Sequence, residues 1–402
     1  LGSSLPFVIS GRLDFVHALF ESVSGWSTGG MTVVNPDTLP HIFLFHRAFM
    51  QYCGGLGFVI IIGIVIGGRQ VMSMYNTEVH PGGAQPNLRR TSLTIFLIYM
   101  SCFALGAALY RVFGMPLFDA ICHAMGSLAT AGFSVHSSSI GYYDSLPIEI
   151  ITMLLMLVGS TNFAVLLLLV RRKFRRVAKI SEVRFLGCVL LIFIPLSVFS
   201  LIAHNDFGFA RSLREATFAV ISVLSTTGFT TANYALWPPF VVGLIMLLML
   251  LGGATGSTAG GIKLTRAYIL VRVTKSNIFR RVSPSHRIRA MRYGTAQGEE
   301  PIDGVLVRDT LEFVTVYAAI IFIGTLLITH FEDSSLMDAL FEFTAAFGTV
   351  GLSNGLTAHA STPTLVVEMV AMLLGRLEIF IVFIGVFSAF DKVRDRITKK
   401  SM

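Results

Sequence analysis

Charge is what this sequence has least of. Only 13% of its 402 residues are Asp, Glu, Lys or Arg, where a soluble domain carries about 25%. A water-soluble enzyme or scaffold is excluded on that ground, and 53% hydrophobic residues with a mean hydropathy of +0.72 put the chain in a bilayer. Cysteine is scarce too. Cys53, Cys102, Cys122 and Cys188 all fall in apolar stretches with no CxxC pair, which removes a thiolate metal site and a disulfide framework. The ten histidines form no HxxxH or HxxE spacing, so no metal site is expected. Tryptophan occurs twice, and Trp26 and Trp237 both fit an outer membrane interface. The chain starts at Leu1 with neither a methionine nor a signal peptide.

What is abundant is uncharged apolar sequence. Runs at roughly 42–66, 92–113, 148–170, 185–203, 240–270, 310–329 and 364–390 are each long enough to cross a hydrocarbon core of about 30 Å. They predict at least seven crossings. The runs are continuous, not alternating, so the spans are helices and not barrel strands. Of the 31 Lys and Arg residues, 25 lie in Arg69 to Arg90, Arg171 to Arg184, Lys263 to Arg308 and Lys392 to Lys400, which marks these stretches as cytoplasmic. The other connections carry Asp37, Asp119, Asp144, Asp206, Glu332 and Asp333 and face outward. The net charge of +8 is therefore a topology signal; the block at Arg171 to Arg176 anchors the end of an apolar run and does not read as an RNA site.

Four segments superimpose without gaps: Ala18 to Thr32, Ala120 to Ser134, Ala216 to Thr230 and Ala339 to Ser353. Each carries Thr, any residue, Gly and an apolar residue before a final Ser or Thr, with the recurring glycine at Gly30, Gly132, Gly228 and Gly351. A second landmark follows at Gly54, Gly159, Gly252 and Gly375, which lie 24, 27, 24 and 24 residues further on. One such Thr-x-Gly would be an ordinary packing or capping glycine; four in double register define a unit of helix, short half-helix, loop and helix. A half-helix of about 10 residues is too short to span, and non-helical backbone at membrane depth survives only where protein or water covers it. Four re-entrant loops meeting on one axis satisfy that condition by lining a shared pore. Residues 1–14 cannot span, so the outer helix of the first unit is expected to be missing, as in a truncated N-terminus.

After each half-helix the loop must turn main-chain carbonyls toward the axis, which needs positive φ and close approach of neighbouring backbones. Rings of such carbonyls replace the hydration shell of K+, and half-helix C-termini add about −0.5 charge each. The predicted filter lining is Thr28, Gly29, Gly30, Met31, Thr130, Ala131, Gly132, Phe133, Thr226, Thr227, Gly228, Phe229, Thr349, Val350, Gly351 and Leu352.

The four loops, the segment Gly252 to Arg266, Val158 to Phe163 and Leu373 to Phe380 resemble the Trk/Ktr/HKT superfamily of cation transporters over essentially the whole chain. Phe45 to Gly57 and the GRLEIF run are most similar to its bacterial TrkH/TrkG branch. The resemblance implies an all-α integral membrane protein of four pseudo-fourfold repeats around one central pore. Their expected extents are 1–70, 84–176, 180–275 and 302–402, with a cytoplasmic loop at 276–301. It further implies K+ uptake through a gated pore in the bacterial inner membrane, and no enzyme activity. The partners implied are a second copy of the chain and a cytosolic TrkA-type regulatory subunit binding NAD or ATP. In this family glycine in all four loops accompanies K+ selectivity and serine in the first accompanies Na+ permeation. Gly29, Ala131, Thr227 and Val350 make the preceding position uneven, so modest discrimination is expected.

Five glycines in ten residues from Gly252 break the third inner helix, each costing about 1 kcal/mol relative to Ala, and predict a flexible loop at membrane depth. By resemblance Gly252, Gly253, Gly256, Ser257, Thr258, Gly260, Gly261 and Lys263 form an intramembrane gate. A P-loop fails because Ile262 separates the glycines from Lys263; two packed half-helices without gating remain an alternative. Arg376 lies in an apolar run, where a charge costs about 2.5–3.5 kcal/mol. It either pairs with Glu378, Glu342 or pore-loop carbonyls, or supplies a positive charge below the filter. Asn162 is expected to bond backbone across helices. Glu21 and Glu342, seven residues before the filter threonines, read as matching a half-helix N-terminal dipole first and attracting cations second. The basic loop from Arg272 to Arg308 suits anionic lipid or, given the likeness, a regulatory partner. A secondary transporter coupled to H+ or Na+ is the alternative to a channel, although the spans carry few of the acids that ion coupling uses. An intramembrane enzyme lacks a catalytic constellation.

Overall fold

The computed structural model describes residues 1–57, 88–205, 208–282, 291–296, 298–377 and 379. Three helices are long and apolar enough to cross a membrane singly, Leu93–Val112, Ser181–His204 and Gly304–Phe331. These are the outer helices of the second, third and fourth repeats. The run at 148–170 is not one straight span: Leu146–Gly159 and Phe163–Val170 meet at 112°, with Asn162 capping the second piece through Ala164 N–H. The run at 240–270 is interrupted as well, into Pro239–Leu250 and a helix from Leu264 to Val282. The expected spans at 42–66 and 364–390 run into residues outside the described ones; their described parts are the helices His41–Leu56 and Thr362–Leu377.

The half-helices are Phe15–Trp26, Leu117–Ala129, Phe209–Leu224 and Leu336–Phe347. Local chemistry starts the first and last, where Asp14 accepts from Val16 N–H and Ser335 from Asp338 N–H. Each inner helix opens at a proline (Pro40, Pro147, Pro239, Pro363), a position whose missing N–H costs nothing because the first turn has no intrahelical acceptor. Residues 1–13 hold two short turns that pack Phe7 against the first half-helix and its inner helix.

Packing closes the four repeats into a ring in chain order. The apolar residue after each filter glycine is buried in the preceding repeat. Leu352 sits among residues of repeat three, Phe229 among those of repeat two, and Met31 among those of repeat four. Phe133 completes the circuit under the Arg47 guanidinium of repeat one, 4.0 Å from the ring centroid. Burying a side chain of this size stabilises by about 1.5–3 kcal/mol, so the filter loops are also the wedges that join the repeats.

Two placements differ from the sequence reading. Trp26 is the last residue of the first half-helix, two positions before Thr28, with its indole N–H on Ser3 Oγ at 2.9 Å. It belongs at filter depth, not at the outer interface, because the chain has already descended through the half-helix. Glu21 and Glu342 lie in the middle of their half-helices and are fully buried, so neither matches an N-terminal dipole nor lines a mouth.

Candidate pore and gate

All four half-helices end in the same hydrogen-bonded cap. Gly29, Ala131, Thr227 and Val350 donate their N–H to the carbonyl five residues back, and Thr28, Thr130, Thr226 and Thr349 to the one three back. This is the Schellman closure, whose left-handed position is ordinarily glycine. Here it holds the four threonines, at φ of +55, +51, +55 and +52°. A β-branched residue in this region is an outlier, costing about 1–2 kcal/mol. Four repetitions of that cost at one register point to a site that uses what threonine brings, a hydroxyl beside a main-chain carbonyl. Gly30, Gly228 and Gly351 follow at φ of +74, +78 and +82°. Alternating left- and right-handed residues turn successive carbonyls to one side of the loop.

The four glycines meet. A Cβ built on Gly132 would lie 2.3 Å from Thr227 O, one on Gly228 1.9 Å from Val350 O, and one on Gly351 2.6 Å from Gly29 O. The carbonyls of Gly29, Thr227 and Val350 thus each face the glycine of a neighbouring repeat, while Ala131 O accepts from Phe133 N–H at 2.8 Å within its own loop. Gly30 is roomier, with its nearest neighbours, Gly132 N and Gly351 Cα, at 3.1 and 3.2 Å. The fourth position behaves differently: Met31 O and Phe229 O accept from Ser24 Oγ and Ser222 Oγ at 2.6 and 2.7 Å, which draws these carbonyls back toward their half-helices.

The landmark glycines seat the inner helices on this collar. Gly54, Gly159 and Gly375 pack on the carbonyls of Trp26, Leu128 and Phe347, where a Cβ would come within 2.2, 2.3 and 1.9 Å. Gly252 departs from the pattern and packs on Gly260 O of its own loop, at 1.8 Å from a built Cβ. The third inner helix has turned away there to form the glycine-rich segment.

Hydrogen bonds and close contacts tie that segment to its surroundings. It lies against the inner end of three of the four loops: Thr258 Oγ1 bonds Thr130 Oγ1 at 2.9 Å, Gly260 N–H donates to Thr226 Oγ1 at 3.1 Å, and Gly260 packs on Thr349 Oγ1. Its own neck is a parallel bridge between Leu251 and Ile262, and Lys263 Nζ donates to Ala259 O at 2.6 Å. The bend in repeat two holds it from one side, through Ala254 N–H on Ser160 O and Asn162 Nδ2 on Thr255 O. Asn162 thus bonds backbone across helices. Gly256 and Gly261, at φ of +70 and +68°, make its turns. Glycine serves close approach here, and the contacts that fix the loop come from residues far away in sequence.

Arg376 locks the arrangement. Its guanidinium donates to Thr258 O and, at 2.7 Å, to Gly54 O, joining the loop to the end of the first inner helix. The carbonyls it takes belong to the glycine-rich segment and an inner helix rather than to one of the four Thr-x-Gly loops; Glu378 lies outside the described residues.

Sequence reasoning missed the support behind the first loop. Arg47 is 1% exposed; its Nε donates to Glu21 Oε2 at 2.9 Å and its Nη2 to Thr32 Oγ1 at 2.7 Å. Glu21 Oε1 in turn accepts from Thr32 Oγ1 and Val33 N–H. In repeat four Glu342 grips the equivalent strand through Ser353, Asn354 and Leu356. The residue in register with Arg47 is Glu368, and both carboxylates lie 3.0 Å from Thr357 Oγ1, whose single proton goes to one of them. Arg47 and Glu368 each stand seven residues before a landmark glycine, so extending the repeat register backwards would have found them.

Comparison with known proteins agrees with this architecture. The TrkH family model, described as a cation transport protein, matches residues 2–390. The Trk system potassium uptake protein TrkH of Halomonas elongata is 31% identical, over 97% of this chain and 83% of its own. The Trk system potassium uptake protein TrkG of Escherichia coli K12 is 32% identical, over 96% of this chain and 81% of its own. The crystal structure of the potassium transporter TrkH from Vibrio parahaemolyticus superimposes with a TM-score of 0.82 at 27% identity, covering 95% of this chain and 81% of that one. A ring of four strained threonine caps, four apposed glycines and a match along nearly the whole length carry the same conclusion: the chain belongs to the TrkH family of membrane cation transporters.

Proposed function

We propose that this chain takes up potassium across the cytoplasmic membrane through a gated, channel-like pore, without catalysis. The observation that carries the reading is the ring of Gly30, Gly132, Gly228 and Gly351, with Gly29, Thr227 and Val350 carbonyls turned to the centre. Main-chain oxygens in that arrangement replace the water around a dehydrated monovalent cation. The carbonyls of the residues from Thr28 to Gly30 and their counterparts in the other three loops form the filter. Gly252 to Lys263 is the gate, and Arg376 is its latch. Two copies assemble as a homodimer, and a TrkA-type regulatory subunit carrying NAD or ATP docks on the basic loop from Arg272 to Arg308. The resemblance and the Trk system names of the relatives support these partners.

The test is uptake of K+, Rb+ and Na+ into liposomes containing the purified protein. K+ and Rb+ entering in preference to Na+, with unitary currents in a planar bilayer, is the expected result; equal entry of all three would remove the filter assignment. Arg376→Ala tests the gate in the same assay. Hydrogen bonds to a charged group contribute about 1.5–3 kcal/mol each, so loss of the latch is expected to raise K+ uptake several-fold without changing K+ preference. Uptake at the wild-type rate would mean that the loop does not gate.

A further inference from the structure

The gate segment has a second anchor, on the cytoplasmic side. Glu182, 9% exposed in the first turn of the third outer helix, accepts at Oε1 from Thr255 N–H at 3.0 Å and from Thr265 Oγ1. Thr255 lies within the loop, and Thr265 is in the first turn of the helix that resumes at Leu264. Their hydroxyls also bond each other at 3.0 Å. One carboxylate oxygen therefore clamps the loop to the start of the helix that follows it, across 73 residues of sequence to Thr255.

The neighbouring residue faces the other way. Ser181 Oγ accepts from Gly294 N–H at 2.9 Å. Gly294 ends the first strand of a small antiparallel hairpin, Arg292–Gly294 with Glu299–Pro301. It is packed so closely on Lys179 O that a Cβ would come within 2.3 Å. The hairpin is seated by Tyr293 and Ile302 around Ile269, with Leu306 and Val307 of the fourth outer helix alongside. Hairpin, Ser181, Glu182 and Thr255 form one continuous chain of contacts, ending on the loop beneath the filter. Asn162 and Arg376 hold that loop from the second and fourth repeats instead.

We infer that Glu182 is the positioning residue through which the 291–301 hairpin sets the gate. Displacement of the hairpin shifts the Ser181–Glu182 turn, takes the carboxylate from Thr255 and Thr265, and frees the loop from the helix below. The inference rests on the reading of Gly252 to Lys263 as the gate, and it adds the element that moves it.

Rb+ uptake into liposomes and amide hydrogen exchange of the 252–263 segment, measured together, test it. Glu182→Ala is expected to raise uptake about 10-fold, the scale of losing charge-assisted bonds, and to speed exchange in the segment. Ser181→Ala, which removes only the hairpin contact, is expected to give a rise of about 3-fold, as for one neutral hydrogen bond. Because both act through one chain of contacts, the double variant should match Glu182→Ala, whereas a multiplied effect would show independent sites and overturn the coupling. Glu182→Gln keeps an acceptor oxygen and is expected within about 3-fold of wild type; behaviour equal to Glu182→Ala would overturn the clamp. If Glu182→Ala fails to fold, Thr265→Val removes the donor from the opposite side, and wild-type exchange in that variant would also overturn it. Faster exchange in Glu182→Ala and Arg376→Ala with unchanged uptake in both would keep the clamp and reject the gate. A response in Arg376→Ala with none in Glu182→Ala would keep the gate and reject the clamp.

Discussion

Serine is expected to be tolerated at Gly30 and not at Gly228. A Cβ on Gly228 falls 1.9 Å from Val350 O, and the obstacle is main chain that no side-chain rotation clears. The carbonyl must leave the axis, and K+ uptake by Gly228→Ser should fall by at least about 100-fold, the order of loss that a 1 Å misplacement imposes on a preorganised site. At Gly30 the nearest atoms stand at 3.1–3.3 Å, and none of the three is a carbonyl oxygen. Small backbone adjustments admit the new side chain, though a residue at φ of +74° remains strained. Gly30→Ser should therefore still conduct, while the altered turn and added hydroxyl lower the K+ over Na+ preference by about 10-fold, equal to about 1.4 kcal/mol. Parallel uptake of K+ and Na+ by the two variants measures both numbers. Equal loss of uptake in the two would mean that the asymmetry of the ring has no bearing on conduction.

The ring itself was legible in the sequence because its signal is a register. Gly30, Gly132, Gly228 and Gly351 recur with a second glycine at nearly constant distance, and the structure puts three of those second glycines on equivalent carbonyls. Strain was not legible. Threonine is an ordinary residue in a sequence, and only backbone angles reveal that all four occupy a region suited to glycine. The glycine-rich loop was found by its glycines, but composition says nothing of the contacts that close on it, from Glu182 of its own repeat and from Asn162 and Arg376 of the second and fourth. Glu21 was singled out correctly as a matched position but assigned to a helix terminus, because its depth within the half-helix depends on where Asp14 starts the turn.

Arg47 carries the second large prediction. It is a fully buried guanidinium in an apolar helix, and its role is to balance Glu21 and hold the strand that leaves the first filter loop. Breaking a buried pair from one side typically costs about 3–5 kcal/mol, because the remaining charge is left without compensation. Arg47→Ala should lower thermal stability in detergent by that amount. It should also reduce K+ uptake, since Thr32 and the Phe133 ring lose their contacts together. Removing the acid as well separates the two effects. In Glu21→Ala with Arg47→Ala no stranded charge remains, so the double variant is expected to recover stability relative to Arg47→Ala, a coupling of the size seen between directly bonded residues. Uptake should stay low in the double variant, because Val33 N–H and Thr32 Oγ1 have then lost their acceptor. A double variant as unstable as the sum of its parts would show that the pair contributes through packing alone. Full uptake in it would show that the segment behind Met31 holds its shape without this buried network.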